Sequence, residues 1–176
     1  MVLLLRVVNY LAFYALWCLC IIAGDDKRAQ WAIPVVLVYL VLHLLFMSSS
    51  PKKEAILIAV LTLVGAMNES LLAKSGFVSY ADAYWLGVSW WTLSLWACFA
   101  TTYWHAFSWL SSRFLLAGFL GALAAPLCYA SIATVGGISF PKGNTEGLLT
   151  IGVLWACVLP LTFVISRWIQ HFREKT

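Results

Sequence analysis

Glu69 and His105 stand inside otherwise apolar stretches of this sequence, and both side chains can bind or pass a proton. Glu69 follows Asn68 and precedes Ser70, late in an apolar run. Thr62, Ala66, Glu69 and Ala73 recur at steps of three and four residues, so a helix carries them on one face. Small residues on such a face let a second helix approach closely. A carboxylate held there can take a proton, a cation or a polar ligand. The plainer alternative is a glutamate near a helix end that reaches water beside Lys74. His105 belongs to the series Ser94, Cys98, Thr101, His105, Ser108 and Ser112, which shares one face of a continuous helix. A polar stripe on a spanning helix is expected to face the bundle interior or a wet cavity. No second histidine stands at ligand spacing from His105, so neither a metal site nor a cofactor is expected. A structural histidine bonded to a carbonyl or a serine is the competing reading.

Asn9 is positioned to bond across helices, Arg6 to snorkel toward phosphates, and His43 to serve a structural role. The polar candidates are therefore Asn9, Asn68, Glu69, Ser94, Thr101, His105 and Ser108. Glu69 is expected about 6 Å from one end of its helix, whereas His105 stands roughly 30 Å along a helix starting at that same end. A Glu69–His105 dyad is not expected. No G-x-S-x-G, H-E-x-x-H, P-loop or dinucleotide-binding motif occurs, so no catalytic residue is assigned.

The elements that must hold these side chains are those of a membrane. The 176 residues are 63% hydrophobic and 10% charged, with a mean hydropathy of +0.91. Soluble domains are about 45–50% apolar and about 25% charged, so a lipid phase must solvate most of this surface. Apolar stretches suggest six spans in a single domain covering residues 1–176, over about 7–23, 31–47, 55–73, 85–110, 114–135 and 148–165. The fold class expected is all-α, a six-helix transmembrane bundle. The five cysteines lie in apolar stretches without C-x-x-C spacing and read as small hydrophobes. Gly118-x-x-x-Ala122, Gly121-x-x-x-Ala125 and Gly152-x-x-x-Ala156 provide for close contact between the last two helices.

Short-loop lysines and arginines set the orientation. With both termini in the cytoplasm, the inner set is Arg6, Lys52, Lys53, Arg113, Arg167, Arg173 and Lys175, against Lys27, Arg28, Lys74 and Lys142 outside. Trp31 and Trp85 then open spans at the outer surface, and Trp109 and Trp168 close them at the inner one. The basic residues form no long run, so nucleic acid is not an expected partner.

Three segments carry a family resemblance. They are Asn9-Tyr10-x-x-Phe13-x-x-x-Trp17, Phe99-Ala100-Thr101-Thr102-x-x-His105-x-x-Ser108-Trp109-Leu110 and Gly121-Ala122-Leu123-Ala124-Ala125-Pro126-Leu127-x-Tyr129. In this order they resemble the uncharacterised family "domain of unknown function 2878". Trp104 stands where that family usually has asparagine, Ala106 where it has serine, and Ala124-Ala125 where it has a glycine pair. The resemblance implies a small bacterial inner-membrane protein, often encoded near enzymes similar to cyclopropane-fatty-acid synthases. The expected function is binding of a lipid or small apolar ligand, as a non-enzymatic accessory to a lipid-modifying or envelope process. Membrane lipids and a lipid-modifying enzyme are the expected partners. A membrane-embedded substrate-binding or transport subunit is the first alternative, and a small membrane enzyme using Glu69 or His105 the second.

Overall fold

The computed structural model describes residues 2–25, 29–84 and 86–171. Six α-helices form the fold: α1 (Val2–Asp25), α2 (Ala29–Phe46), α3 (Pro51–Lys74), α4 (Trp90–Ala100), α5 (Phe114–Thr134) and α6 (Asn144–His171). Four of them hold stretches long and apolar enough to cross a membrane, namely Leu3–Ile22, Pro51–Lys74, Phe114–Thr134 and Asn144–His171. The apolar part of α2, Trp31–Phe46, is shorter. Large apolar side chains such as Phe46, Leu115 and Val153 are exposed on the helix flanks, as a lipid-facing surface requires. Of the residues used above for orientation, Lys27, Arg28, Trp85, Arg173 and Lys175 lie outside the described residues.

The expected long fourth helix over 85–110 is a helix only from Trp90 to Ala100. The segment before it turns through Leu86 and Gly87, both at positive φ. The segment after it unwinds because Thr101 and Thr102 compete for the helix's own carbonyls. Their hydroxyls donate to Cys98 O (2.7 Å) and Phe99 O (2.6 Å). The backbone N–H groups of residues 101, 102 and 103 likewise bond three residues back, tightening the last turn. A short 3₁₀ helix, Ser108–Leu110, follows before α5. Thr101, Thr102 and Tyr103 are fully buried, so protein covers the irregular backbone.

Asn9 of α1 serves the interruption directly. Its Nδ2 donates to Thr101 O (3.3 Å), and its Oδ1 accepts from the Ala106 N–H (3.3 Å). One side chain thus satisfies backbone groups at two points in the turns that follow α4, within a region that offers little water.

Helices α5 and α6 make the closest pair. A Cβ added at Gly121 would stand 2.4 Å from Trp155 O, and one at Gly118 2.9 Å from Ala156 O. On the other side, Gly152 faces Ala122 O and Pro126. The small residues therefore let the two backbones touch, the same packing that their spacing suggests.

Two short strands join the loops at one end. β1 (Ser79–Tyr80) and β2 (Ile138–Ser139) pair antiparallel, with Ser79 opposite Ser139 and Tyr80 opposite Ile138. Lys142 lies over the Phe77 ring there, 4.2 Å from its centroid. At the other end of the bundle Lys53 Nζ donates to Gln170 O (3.3 Å), and Arg167 lies over Phe114.

Candidate functional site

Helix α3 carries two buried carboxylates, Glu54 in its first turn and Glu69 near its end. Fifteen residues separate them, about 22 Å along the axis. Each organises its own polar centre.

Glu69 is 1% exposed and accepts hydrogen bonds from four side chains. Asn68 Nδ2 (3.1 Å) and Trp96 Nε1 (2.9 Å) donate to Oε1, and the Tyr80 hydroxyl donates to Oε2. The Tyr129 hydroxyl straddles both oxygens, at 2.6 and 2.7 Å. Among the described residues Glu69 pairs with no lysine or arginine; Lys74 does not reach it. Gly65, one turn back on α3, makes the Trp96 contact possible. A Cβ there would fall 2.2 Å from the Trp96 ring, so only glycine lets the indole lie against the helix and reach the carboxylate. Burial first, and then the neighbouring Glu69 charge, raise the Tyr80 phenol well above its ordinary range. Tyr80 therefore keeps its proton and remains a donor.

This centre closes one end of a cavity of about 450 Å³. Tyr10, Phe13, Tyr14 and Trp17 of α1 form one wall, and Gly121, Ala124, Ala125 and Cys128 of α5 form another. Between them lie Trp91, Leu95, Trp96 and Phe99 of α4, with Trp155 and Phe163 of α6. Trp96 and Trp155 stack at 5.0 Å, and Phe99 packs edge-on against Trp96, Tyr103, Phe107 and Trp155. At the far end the lining reaches Tyr10, Phe107 and Trp109. Tyr10, Tyr14 and Trp109 are about half exposed, so the cavity is a slot with an open flank rather than a sealed void. Two polar atoms in its wall, Thr92 Oγ1 and Trp155 Nε1, are buried beside the Tyr80 and Tyr129 hydroxyls, respectively, without a well-formed hydrogen bond to them. Such atoms are rare in folded proteins and call for a partner.

The second centre joins three elements. His43 stands in the last turn of α2, Glu54 in the first turn of α3, and His105 in the turns after α4. Glu54 Oε1 lies 2.7 Å from His43 Nε2 and 2.9 Å from His105 Nε2. The two imidazole rings meet edge to face, with centroids 4.9 Å apart. Their side chains are 0% (His43), 2% (Glu54) and 14% (His105) exposed. Tyr39 connects this centre to the break in the fourth helix, since its ring packs near His43 and its hydroxyl lies 2.9 Å from Thr101 Oγ1.

The sequence candidates thus fall into different places. Asn68 and Glu69 are in the first centre. His105 is in the second, and Asn9 and Thr101 adjoin it, so Glu69 and His105 belong to separate hydrogen-bond networks. Ser94 and Ser108 return their hydroxyls to nearby backbone, on Trp90 O and His105 O. They face no shared cavity with Thr101 and His105, because the unwinding after Ala100 breaks the helical face that the spacing implied. Glu54, Tyr80 and Tyr129 were not among the candidates. Glu54 precedes the apolar run and resembles a flanking charge, and Tyr80 belongs to a loop. His43 is far from His105 in sequence and is brought beside it by the fold. Trp104 turns away from this centre and donates to Ser166 Oγ (2.8 Å).

No curated protein and no solved structure matches the chain. A family model described as "Protein of unknown function (DUF2878)" matches residues 6–161, a stretch holding both polar centres, Asn9 and the slot lining except Phe163. The chain belongs to that family of proteins of unknown function.

Proposed function

We propose that this is a multi-pass protein of the bacterial inner membrane that binds a neutral or cationic amphiphile in the slot between α1 and α5. The observation that carries this reading is the aromatic slot ending at a carboxylate that has no cationic partner among the described residues. Its volume of about 450 Å³ falls in the range of small-molecule sites, and its open flank admits a ligand from the lipid phase. The slot's end selects the head group. The hydroxyl protons of Tyr80 and Tyr129 are committed to Glu69, so their oxygens and the carboxylate offer only acceptor capacity. Trp155 Nε1, beside the Tyr129 hydroxyl, and the Thr92 hydroxyl, beside that of Tyr80, form no well-made bond there and can turn to a ligand, the first as a donor and the second as either. A hydroxyl or amine at the end of an apolar chain or ring system satisfies both sets. An ammonium group gains further from the surrounding aromatic faces. A carboxylate or phosphate entering this end meets the Glu69 charge.

Native mass spectrometry of protein extracted in mild detergent tests the reading. Wild-type protein is expected to carry a hydroxyl- or amine-bearing amphiphile. Ala124→Trp, which puts an indole into the slot from an exposed position, is expected to carry none. Wild-type protein with no cargo above a mock preparation overturns the proposal. A carboxylate-headed cargo overturns the head-group assignment.

We further propose six crossings with both ends in the cytoplasm, α4 and the turns after it together making the fourth. The lysine and arginine bias supports this orientation. The pairing of β1 with β2 supports the crossing pattern, because it puts on one side the two loops expected outside. The contact of Lys53 with Gln170, both expected inside, agrees with it. Reporter fusions after Lys53 and Arg173 are expected to read cytoplasmic and a fusion after Lys142 external; the reverse pattern refutes the orientation.

Transport is a second reading of the same slot. The interrupted fourth helix favours it, because transporters build binding sites beside broken helices. Co-purification of an energising partner would select it over the accessory role beside a lipid-modifying enzyme.

A further inference from the structure

We propose that His43, Glu54 and His105 form a binding site for one divalent transition-metal ion of the zinc or iron(II) class. Each residue offers one ligand atom, and the three atoms lie within 4.8 Å of one another. They come from three elements that the fold converges on one point, as metal sites in helical bundles do. Both imidazoles present the same nitrogen, Nε2, to the same carboxylate oxygen. In a tetrahedral site with bonds of about 2.0–2.1 Å the donor atoms stand about 3.3 Å apart. The two spacings to Glu54, 2.7 and 2.9 Å, need to open by about half an ångström, while the two imidazole nitrogens, which lie within 4.8 Å of each other, need to draw to that separation.

The donor set decides the class of ion. Two nitrogens and one carboxylate oxygen without a thiolate suit zinc, iron(II) or manganese(II), and disfavour copper(I). Three protein ligands leave a position free for water or another small ligand, the arrangement of open rather than structural sites. His43 and Glu54 are sealed, and the partial exposure of His105 gives the ion its entrance. A dication also offsets the cost of holding the Glu54 carboxylate in an apolar bundle. The site lies at the opposite end of α3 from the slot's polar end, so it stands or fails apart from amphiphile binding.

The test uses tag-free protein in detergent, stripped with a chelator and titrated with Co²⁺ as a spectroscopic probe. One equivalent per chain is expected, with the visible absorption of a four-coordinate nitrogen–oxygen site. X-ray absorption of zinc-loaded wild type is expected to show two imidazole ligands. His105→Ala, at the most exposed of the three positions, should weaken binding at least about tenfold. His171→Ala is the control: that histidine is exposed and bonds its own helix at Arg167 O, so its loss should leave binding unchanged. Stripped wild type that takes up no stoichiometric Co²⁺ overturns the proposal. So does binding that survives His105→Ala or disappears with His171→Ala. Should His105→Ala not fold, the wild-type absorption spectrum decides alone, and a spectrum without imidazole ligands rejects the site.

Discussion

Replacing Glu69 by alanine is expected to lower the thermal midpoint of the detergent-solubilised protein by about 6–12 °C. Four buried donors converge on that carboxylate from α3, the loop after it, α4 and α5. Removing it strands them in apolar surroundings. Each orphaned donor costs about 1–3 kcal/mol, whereas interhelical hydrogen bonds in membranes average only about 0.6 kcal/mol. Local relaxation recovers part of the larger figure, which leaves a net loss of about 3 kcal/mol. For a chain of this size each kcal/mol moves the midpoint about 2–4 °C. Tyr129→Phe removes a single donor and leaves no buried polar atom behind, so its expected loss is about 1 kcal/mol. A Glu69→Ala midpoint within a degree or two of wild type would show that the carboxylate does not organise the slot.

Asn9→Leu should be the next most damaging change. Leucine keeps roughly the volume but removes the bonds to Thr101 O and Ala106 N in the turns that follow α4. Two buried backbone groups lose their partner, at a cost of about 2–3 kcal/mol. The distinguishing readout is hydrogen exchange. Protection should fall selectively over residues 101–107, while the α5–α6 pair keeps its protection. A uniform fall across all helices would mean that Asn9 supports the bundle in general rather than the break. Ser94→Ala is the matched control, because that hydroxyl only returns to Trp90 O on its own helix. Its effect should stay within about 0.5 kcal/mol.

The contrast between Asn9 and Ser94 shows what was legible in the amino-acid sequence. Both were polar residues in apolar runs, and both stood among the candidates. Which of them bridges elements depends on where α4 stops, and hydropathy does not register that point. The stretch from Trp90 to Leu110 carries no Asp, Glu, Lys or Arg anywhere along its length, while the unwinding is driven by two threonine hydroxyls and by Asn9, some 92 residues away. The other helices were legible because apolar length alone defines them. The small residues of α5 and α6 were equally legible, since close approach needs little more than a missing side chain at the right spacing.

The polar centres were half legible. Glu69 and His105 stood out because a charge or an imidazole inside an apolar run is costly. Their partners did not. Glu54 lies one residue outside the apolar run of α3 and reads as an ordinary flanking charge. Tyr80 reaches Glu69 only because the β1–β2 pairing fixes its loop. The slot itself has no sequence signature. Its aromatic lining is scattered over four helices, and each ring alone resembles a core or lipid-facing side chain.

Amphiphile binding is tested most directly by an experimental density map of the tag-free protein in lipid nanodiscs. Elongated non-protein density is expected between Tyr14 and Ala124, entering from the open flank and ending against Tyr80 and Tyr129 near Glu69. A map in which α1 has closed onto α5, or in which ordered water alone fills the slot, would contradict it.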